Sequence, residues 1–137
     1  METIFTYGSL MCADIMSAVT GLTVVGVSAT LHGYRRYAVV GEHYPGAVVE
    51  NDRSVEGVLY TGVSSAALNR LDAFEGDCYL RKPVTVVSAS GRLIEAQCYV
   101  WHDAFIAQLA PWDWSFSHFL SRGKDEFLAR YIGCARD

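Results

Sequence analysis

The sequence predicts an α+β fold in which helices pack on the outside of a mixed or closed β-sheet. Segments with the pattern of strands outnumber those with the pattern of helices, and the helical segments stand in separate places along the chain. No repeat, low-complexity segment or linker divides the sequence. With 137 residues, of which 51% are hydrophobic, the chain is long enough for one compact domain, residues 1–137, with its own core.

The first elements are a strand and a short helix. ETIFTYG has the β-branched and aromatic content of a strand and ends in Gly8. MCADIMSAVTG has apolar residues at helical spacing, and Gly21 is placed to end that helix. The chain therefore opens with a strand, a loop and a helix.

Strand patterns dominate the middle of the chain. Val-rich runs within residues 22–40, then GAVVEN, then SVEGVLYTG predict successive strands. SSAALNRLDAFEG predicts the second helix, which Ser64 or Ser65 caps and Gly76 ends.

The last third of the chain combines a hairpin with a helical tail. PVTVVSA and RLIEAQCYVW predict two strands joined across SGR. After Pro111, apolar residues recur three and four apart, which predicts a terminal helix that Gly123 breaks or loosens.

Charge and hydropathy exclude several classes of protein. The formal net charge is −4 and the 11 lysines and arginines are scattered, so a nucleic-acid partner is not expected. Glu2 stands where a secretory signal would carry basic residues, and no apolar stretch reaches the ~20 residues of a membrane span. We expect a soluble, cytoplasmic protein with no membrane partner.

The cysteines and histidines do not have the spacing of a metal site. The sequence has no CxxC pair and no histidines four apart on a helix, so we expect no metal and no redox motif. A secreted disulfide framework is formally possible with an even number of cysteines, but we interpret them as reduced, small apolar residues. These residues are Cys12, Cys78, Cys98 and Cys134.

A carboxylate falls on the apolar face of the second predicted helix. At ~100° per residue, Leu71 and Phe74 share one stripe, and Glu75 lies inside it. Burial would raise the pKa of Glu75 toward the range of a general acid or base. Alternatively, Glu75 turns out to water in the last turn or pairs with Arg81. Asp72, at the edge of the stripe, is expected to be solvated.

The loop FTYGSLM joins the first strand to the first helix. Successive backbone N–H groups at such a junction can gather around an anion. Ser9 could add a hydroxyl, and Tyr7 a phenol or a wall. The alternative is an ordinary turn in which Gly8 supplies a positive φ. No G-x-S-x-G elbow surrounds Ser9, so a hydrolase nucleophile is not predicted.

The order and separation of FTYGSLM and LDAFEGDCYLR resemble the γ-glutamylcyclotransferase-like superfamily. The resemblance is greatest to the branch of the plant avirulence-induced-gene (AIG2-like) proteins and the γ-glutamylamine cyclotransferases. GYRRYAVVGEHYPGAVVEN and SVEGVLYTGVSSAALNRLD are similar to the family's middle strands, and AQCYVW to its carboxyl end. The resemblance covers nearly the whole chain.

This resemblance implies a fold and a reaction. The implied fold is a small, mixed, barrel-like β-sheet with flanking helices and one cavity. In the implied reaction, the α-amine of a γ-glutamyl group attacks its own γ-carbonyl, which releases 5-oxoproline and a free amine or amino acid. The implied partner is a small γ-glutamyl substrate, with no cofactor. The sequence leaves the oligomeric state open.

The resemblance also implies roles for individual residues. Glu75 matches the family's acid-base residue. Tyr79 and Arg81 match its Tyr-x-Arg motif, with Tyr79 near the carboxylate and Arg81 in a supporting, structural role. The substrate loop whose backbone amides hold the glutamyl group is matched by Tyr7, Gly8, Ser9 and Leu10.

Two other functions stay open at this stage. One is a non-catalytic, small-molecule-binding or stress-response protein on the same scaffold, because a fold does not secure a chemistry. The other is a different acyl transfer on a γ-glutamyl or amide-like substrate.

The aromatic residues of the sequence bear on the leaving group. If some of them rim the cavity, an apolar amine would be preferred to the charged, glycine-bearing end of glutathione. The alternative is plain core packing. The residues concerned are Trp101, Trp112, Trp114, Tyr34, Tyr37 and Tyr44.

Overall fold

The computed structural model describes residues 1–132. A 3₁₀ turn precedes the first helix, a second one precedes the last strand, and a π-helical turn joins the last two helices. The elements are β1 (Glu2–Thr6), α1 (Ala13–Thr20), β2 (Gly26–Val39), β3 (Pro45–Val63), α2 (Ser65–Glu75), β4 (Tyr79–Ser88), β5 (Leu93–Trp101), β6 (Leu109–Asp113), α3 (Phe116–His118) and α4 (Lys124–Tyr131).

The strands form a closed, mixed sheet. Their order is β3-β1-β5-β4-β2, and β2 pairs again with β3, which closes the ring, while β6 extends the sheet beside β2. β1 runs parallel to β5, and the other pairings are antiparallel. The predicted α+β fold, a barrel-like sheet with flanking helices, is confirmed.

Strand β1 brings distant parts of the chain together at one place. Phe5 pairs with Leu59 of β3 on one side and with Cys98 of β5 on the other. Phe5 is buried inside the barrel, whereas its neighbour Ile4 is buried against the helices outside. The carboxyl end of β1 therefore lies at the barrel rim, where the loop to α1 begins.

The signals for the ends of the first two helices are confirmed. Gly21 ends α1 in the left-handed region with φ 74°. The Ser64 hydroxyl accepts a hydrogen bond from the Ala67 amide at the start of α2, and Gly76, with φ 78°, ends this helix. Helix caps involve residues that are close together in the chain, so they can be predicted from sequence.

Two strand boundaries differ from the sequence prediction. GAVVEN and SVEGVLYTG were expected as separate strands, but both belong to β3, which continues through Asp52 at φ 69°. β2 and β3 shift register between His32 and Tyr34, so the pair bends without breaking. β4 begins at Tyr79 instead of Pro83, because pairing with β5 extends it backwards.

The tail is helical later than predicted. Its first residues, from Pro111 to Asp113, end β6 and pair with β2, so the expectation of helix directly after Pro111 is wrong. Ser115 caps α3 by accepting a hydrogen bond from the His118 amide. Gly123 ends the π-helical turn, and a Cβ there would lie 2.8 Å from Nδ1 of His43. The glycine therefore loosens the helix, as predicted, and allows close packing.

Two further expectations concern membrane-spanning helices and the cysteines. No helix within residues 1–132 is long and apolar enough to cross a membrane. Cys12, Cys78 and Cys98 are free thiols, and Cys134 lies outside the described residues.

Candidate active site

A cavity opens at the barrel rim, between the end of β1, the end of α2, the start of β4 and the helix α4. Its volume is about 640 Å³ including the solvent at its open mouth. The residues that line it are Phe5, Thr6, Tyr7, Gly8, Ser9, Leu10, Tyr44, Pro45, Phe74, Glu75, Tyr79, Tyr99, Phe127 and Tyr131.

Most of the site residues predicted from sequence meet in this cavity. The loop from Tyr7 to Leu10 forms one wall, and Glu75 and Tyr79 lie on another. Arg81 does not line the cavity, because its guanidinium pairs with Asp72 outside it. The structure therefore brings six of the seven predicted residues together, while their chemical roles stay predictions.

Glu75 is the last residue of α2, directly before Gly76 turns the chain. The residue is half-buried. Burial raises the pKa of its carboxyl to about 8, and the charge of Asp72 contributes to the same shift. Within residues 1–132, the Glu75 carboxylate forms no hydrogen bond or salt bridge, so the alternative of a Glu75–Arg81 pair is wrong. A titratable group of this kind is suited to proton transfer near neutral pH.

Asp72 is held more firmly than the sequence indicated. Oδ1 of Asp72 lies 2.9 Å from Nε of Arg81 and accepts a 2.6 Å hydrogen bond from the Tyr99 hydroxyl. The Asp72 side chain is 40% exposed, in line with its expected place at the edge of the stripe, but it also has two bound partners. Because Tyr99 and Arg81 are on neighbouring strands, Asp72 fastens the end of α2 to the sheet.

Gly8 is required by packing and not by a positive φ. Its φ is −128°, so the alternative of a positive-φ turn is wrong. A Cβ at this position would lie 2.8 Å from Cδ of Pro45. Only glycine lets the loop approach β3 this closely.

The amides at the beginning of the loop remain available. The Met11 amide donates to the Gly8 carbonyl at 3.0 Å, and the Cys12 amide to the Ser9 carbonyl at 3.1 Å. In the described part of the chain, no hydrogen bond uses the amides of Gly8, Ser9 or Leu10. Since buried backbone N–H groups are seldom left unpaired, these three can receive a ligand oxygen.

Tyr7 and Tyr79 form walls whose hydroxyls are already engaged. The Tyr7 hydroxyl donates to the Tyr99 carbonyl at 2.5 Å and accepts from the Ala47 amide at 3.1 Å. The Tyr79 hydroxyl donates to the Pro45 carbonyl at 2.5 Å. Burial is the main cause that raises the pKa of both phenols, and the charge of Glu75 adds to it. Both phenols therefore stay neutral.

Known proteins share this sequence pattern. A family model described as "Gamma-glutamyl cyclotransferase, AIG2-like" matches residues 4–116. The chain belongs to this family. An AIG2-like relative, "Protein AIG2 C" of Arabidopsis thaliana, is 37% identical over 99 residues, which are 72% of this chain. The chain spans 60% of the length of that relative.

Solved structures resemble this AIG2-like chain along most of its length. A solution structure of an Arabidopsis thaliana protein superposes with a TM-score of 0.72 at 30% identity, covering 98% of this chain and 81% of the other. A structure named "Gamma-glutamyl cyclotransferase" has a TM-score of 0.65 at 18% identity, covering 74% of this chain and 66% of the other. At that identity, the second likeness concerns the fold alone.

Arg36 is a residue of this AIG2-like site that sequence reasoning missed. Its Nη1 donates to the Tyr7 carbonyl at 2.7 Å and to the Glu56 carbonyl at 3.2 Å. The guanidinium also lies 5.1 Å from the centre of the Trp114 ring, and burial lowers its pKa. Arg36 thus holds the loop from behind. The sequence signal for Arg36 was its position next to Arg35 in a strand. Successive side chains of a strand point to opposite faces, so one of two adjacent arginines must point inward.

One of the six aromatic residues considered from sequence lines the cavity, and two others pack in the core. Of the six aromatic residues considered, Tyr44 lines the cavity. Trp101 packs edge-on against Tyr79 with 5.1 Å between ring centres, and Trp114 packs against Phe119, in line with the core-packing alternative. Trp112 is exposed. Further rings in the cavity lining come from α2 and α4, namely Phe74, Phe127 and Tyr131.

Proposed function

We propose that this chain is a γ-glutamyl cyclotransferase that releases 5-oxoproline from a γ-glutamyl amine or γ-glutamyl peptide. The α-amine forms a bond to the γ-carbonyl carbon, and the bond from that carbon to the leaving nitrogen breaks. One observation carries the proposal: Glu75 has the one carboxyl group among the described residues that line the cavity, and the loop from Tyr7 to Leu10 lies in the same cavity.

In this proposal, Glu75 moves the proton that the reaction has to transfer. An α-ammonium cannot attack until it loses a proton, and the leaving nitrogen must gain one. A carboxylate that accepts the first proton can donate it to the leaving nitrogen. The raised pKa of Glu75, about 8, makes its carboxylate a stronger base than an exposed glutamate and its acid form a usable donor at neutral pH.

The loop amides and the cavity walls position the substrate. The amides of Gly8, Ser9 and Leu10 bind either the α-carboxylate or the developing oxyanion. Tyr7 and Tyr79 shape the cavity, and Arg81 supports it through Asp72. Because the ring closes within one molecule, holding the glutamyl chain folded supplies a large part of the rate enhancement.

The proposal is tested with Glu75→Gln, which keeps the size of the side chain and removes its basicity. General acid-base catalysis contributes ~10²- to 10⁴-fold, so we expect 5-oxoproline release at least ~10²-fold slower, with γ-glutamyl ligand binding retained. Chromatographic assay of 5-oxoproline from γ-glutamyl amines, γ-glutamyl amino acids and glutathione measures it. Glu95→Gln, an exposed change on β5, is the matched control.

Two outcomes count against the proposal. If the unchanged protein binds these compounds but releases no 5-oxoproline from any of them, it is a non-catalytic binder. If Glu75→Gln turns over a substrate as fast as the unchanged protein, Glu75 takes no part in the proton transfer.

A further inference from the structure

Arg36 of β2 places a positive charge behind the loop from Tyr7 to Leu10. Its Nη1 donates hydrogen bonds to the Tyr7 carbonyl at 2.7 Å and to the Glu56 carbonyl at 3.2 Å. Arg36 is not among the residues that line the cavity. Its charge can therefore act on a ligand in the cavity only from behind the loop.

The Arg36 guanidinium has no carboxylate partner. Within residues 1–132, no salt bridge includes Arg36, and Asp113, whose charge acts on Arg36 at longer range, pairs with Nε of Arg35 at 2.7 Å. Arg36 is half-buried, and the Trp114 ring centre lies 5.1 Å from its guanidinium. A charge that is partly removed from water without an ion pair is costly. This cost favours a role in which the charge itself acts, since a neutral donor could hold the loop as well.

The Tyr7 carbonyl and the Gly8 amide belong to the same peptide group. No peptide bond within residues 1–132 is cis, so the carbonyl oxygen and the amide hydrogen of this group point in opposite directions. The guanidinium binds the carbonyl end, while the amide end has no hydrogen-bond partner in the described part of the chain. A cation at the carbonyl polarises the peptide group, which makes the Gly8 N–H a stronger donor.

The three available amides of the loop differ in what binds the carbonyl of the same peptide group. For the Ser9 and Leu10 amides, that carbonyl accepts a hydrogen bond from a neutral backbone amide. For the Gly8 amide, it accepts from the guanidinium of Arg36. Charge-assisted hydrogen bonds are roughly twice as strong as neutral ones. The Gly8 amide is therefore the strongest donor of the three.

The cavity itself offers no cation to an anionic group of a ligand. Among its lining residues, all within the described part of the chain, none is lysine, arginine or histidine. When ionised, Glu75 adds a negative charge to the same cavity. A carboxylate or a developing oxyanion of the ligand therefore depends on backbone amides, and on what polarises them, for a favourable potential.

We propose that Arg36 is a positioning residue that supplies positive charge to the loop amides through the Tyr7–Gly8 peptide group. This inference rests on the proposed function. Arg36 does not touch the substrate, but it strengthens the amide that receives the α-carboxylate or the oxyanion. Its hydrogen bond to the Glu56 carbonyl of β3 fixes the guanidinium against the barrel, so the charge stays behind the loop.

Chemical rescue of Arg36→Ala separates charge from shape. Guanidinium and urea are both small and planar, but only guanidinium is charged. We expect Arg36→Ala to lower kcat/KM for 5-oxoproline release from γ-glutamyl-ethylamide about tenfold or more, because a donor to the anion is weakened. Millimolar guanidinium chloride should restore most of the loss, and urea, with sodium chloride to match the ionic strength, should restore none. Equal recovery with both compounds, or with neither, overturns the inference.

Two further variants keep an unbranched side chain beside Trp114. Arg36→Lys retains the charge and Arg36→Met removes it. We expect kcat/KM to be at least about threefold higher in Arg36→Lys than in Arg36→Met. Arg53→Met, an exposed change on β3, is the control and should leave kcat/KM unchanged. Equal losses in the lysine and methionine variants would show that Arg36 only supports the loop.

The Gly8 amide gives a readout that needs no substrate. In proton–nitrogen correlation NMR spectra of the ligand-free protein, the Gly8 amide proton should move upfield in Arg36→Met and less so in Arg36→Lys, because the peptide group loses its polarising charge. The Ser9 amide proton should move less than that of Gly8. The same Gly8 shift in both variants would contradict the proposed role of the charge.

The two proposals fail in different ways. If the unchanged protein releases no 5-oxoproline, the proposed function is wrong, and the Gly8 amide shifts of the Arg36 variants still decide whether the charge acts through the peptide group. If the unchanged protein is active but Arg36→Lys and Arg36→Met lose activity equally, the role of Arg36 is wrong and the proposed function stands.

Discussion

Glu75 and Asp72 lie about one turn apart on α2 but have different surroundings. Asp72 is held by Arg81 and by the Tyr99 hydroxyl, whereas Glu75 faces the cavity without a salt bridge to any residue in the range 1–132. The charge of Asp72 raises the pKa of Glu75 in addition to burial. One carboxyl therefore anchors the helix end, and its charge adds to the burial that raises the pKa of the other.

For these two residues, we predict that the charge of Asp72 shifts the pH dependence of the rate. In the proposed mechanism Glu75 must be ionised to accept a proton, so kcat/KM should rise with pH until about pH 8. Asp72→Asn removes a negative charge and leaves the Arg81 cation unneutralised. Both effects favour the Glu75 carboxylate, so the acidic limb should move to lower pH.

Measurement of kcat/KM for 5-oxoproline release between pH 5 and 9 checks this prediction. Asp77→Asn, just beyond α2 and exposed, is the control and should leave the limb in place. If the acidic limb of the kcat/KM profile stays at the same pH or moves to higher pH in Asp72→Asn, the charge of Asp72 does not raise the pKa that governs the rate.

At the scale of elements, the loop after β1 is set by contacts from two strands. Pro45 at the start of β3 lies against Gly8, and Arg36 of β2 holds the Tyr7 carbonyl. The Tyr60 hydroxyl adds a 2.8 Å hydrogen bond to the Leu10 carbonyl. The loop therefore takes its shape from the barrel beneath it more than from its own sequence.

Gly8→Ala should disturb this loop. The new Cβ would lie 2.8 Å from Cδ of Pro45, so the loop has to shift. We expect a loss of stability of about 1–3 kcal/mol, typical of overpacking, and a fall in turnover of about tenfold or more because the amides move. Urea unfolding and 5-oxoproline assays measure the two effects.

A second substitution separates crowding from other causes. Pro45→Ala removes Cγ and Cδ, the atoms nearest to the new Cβ. In the Gly8→Ala background it should restore part of the lost activity. No recovery in the double variant would mean that crowding by Pro45 is not what fixes the loop.

Helix ends marked by capping residues could be predicted from sequence. Strands that form only by pairing with a distant strand could not. The helix ends at Gly21, Ser64 and Gly76 were predicted because caps act within one turn. β6 was missed because its residues become a strand only by pairing with β2. The candidate site was predictable to the same extent, because some of its residues have local signals and others meet only through tertiary contacts. Glu75 is visible as a carboxylate on an apolar stripe, but the contact of the Phe74 and Phe127 rings in the cavity wall needs α4 in place beside α2.

For the molecule as a whole, Glu75 links folding to pH. Its pKa is about 8 in the folded protein, against an ordinary value of 4.5. Between these values the folded state holds a proton that the unfolded chain releases. The contribution of Glu75 to the free energy of unfolding is therefore lost as the pH rises from about 4.5 to about 8. Above about pH 8 this contribution changes no further.

We predict that Glu75→Gln removes this dependence. The free energy of unfolding of the variant, relative to the unchanged protein, should be nearly constant below pH 4.5 and should increase in favour of the variant up to about pH 8. Urea unfolding at several pH values gives the difference, and Glu95→Gln should show no such trend. A difference that shrinks with rising pH would contradict the burial of this carboxyl.

The pairing of β1 with β5 also has a consequence for how the protein is made. β1 is synthesised before its neighbour β5, which ends at Trp101, and the cavity wall from α4 comes later still, at Phe127 and Tyr131. Contacts of such large sequence separation are slow to form, and they cannot form before both segments have left the ribosome. The loop at Tyr7 therefore reaches its final surroundings only after α4 has been translated.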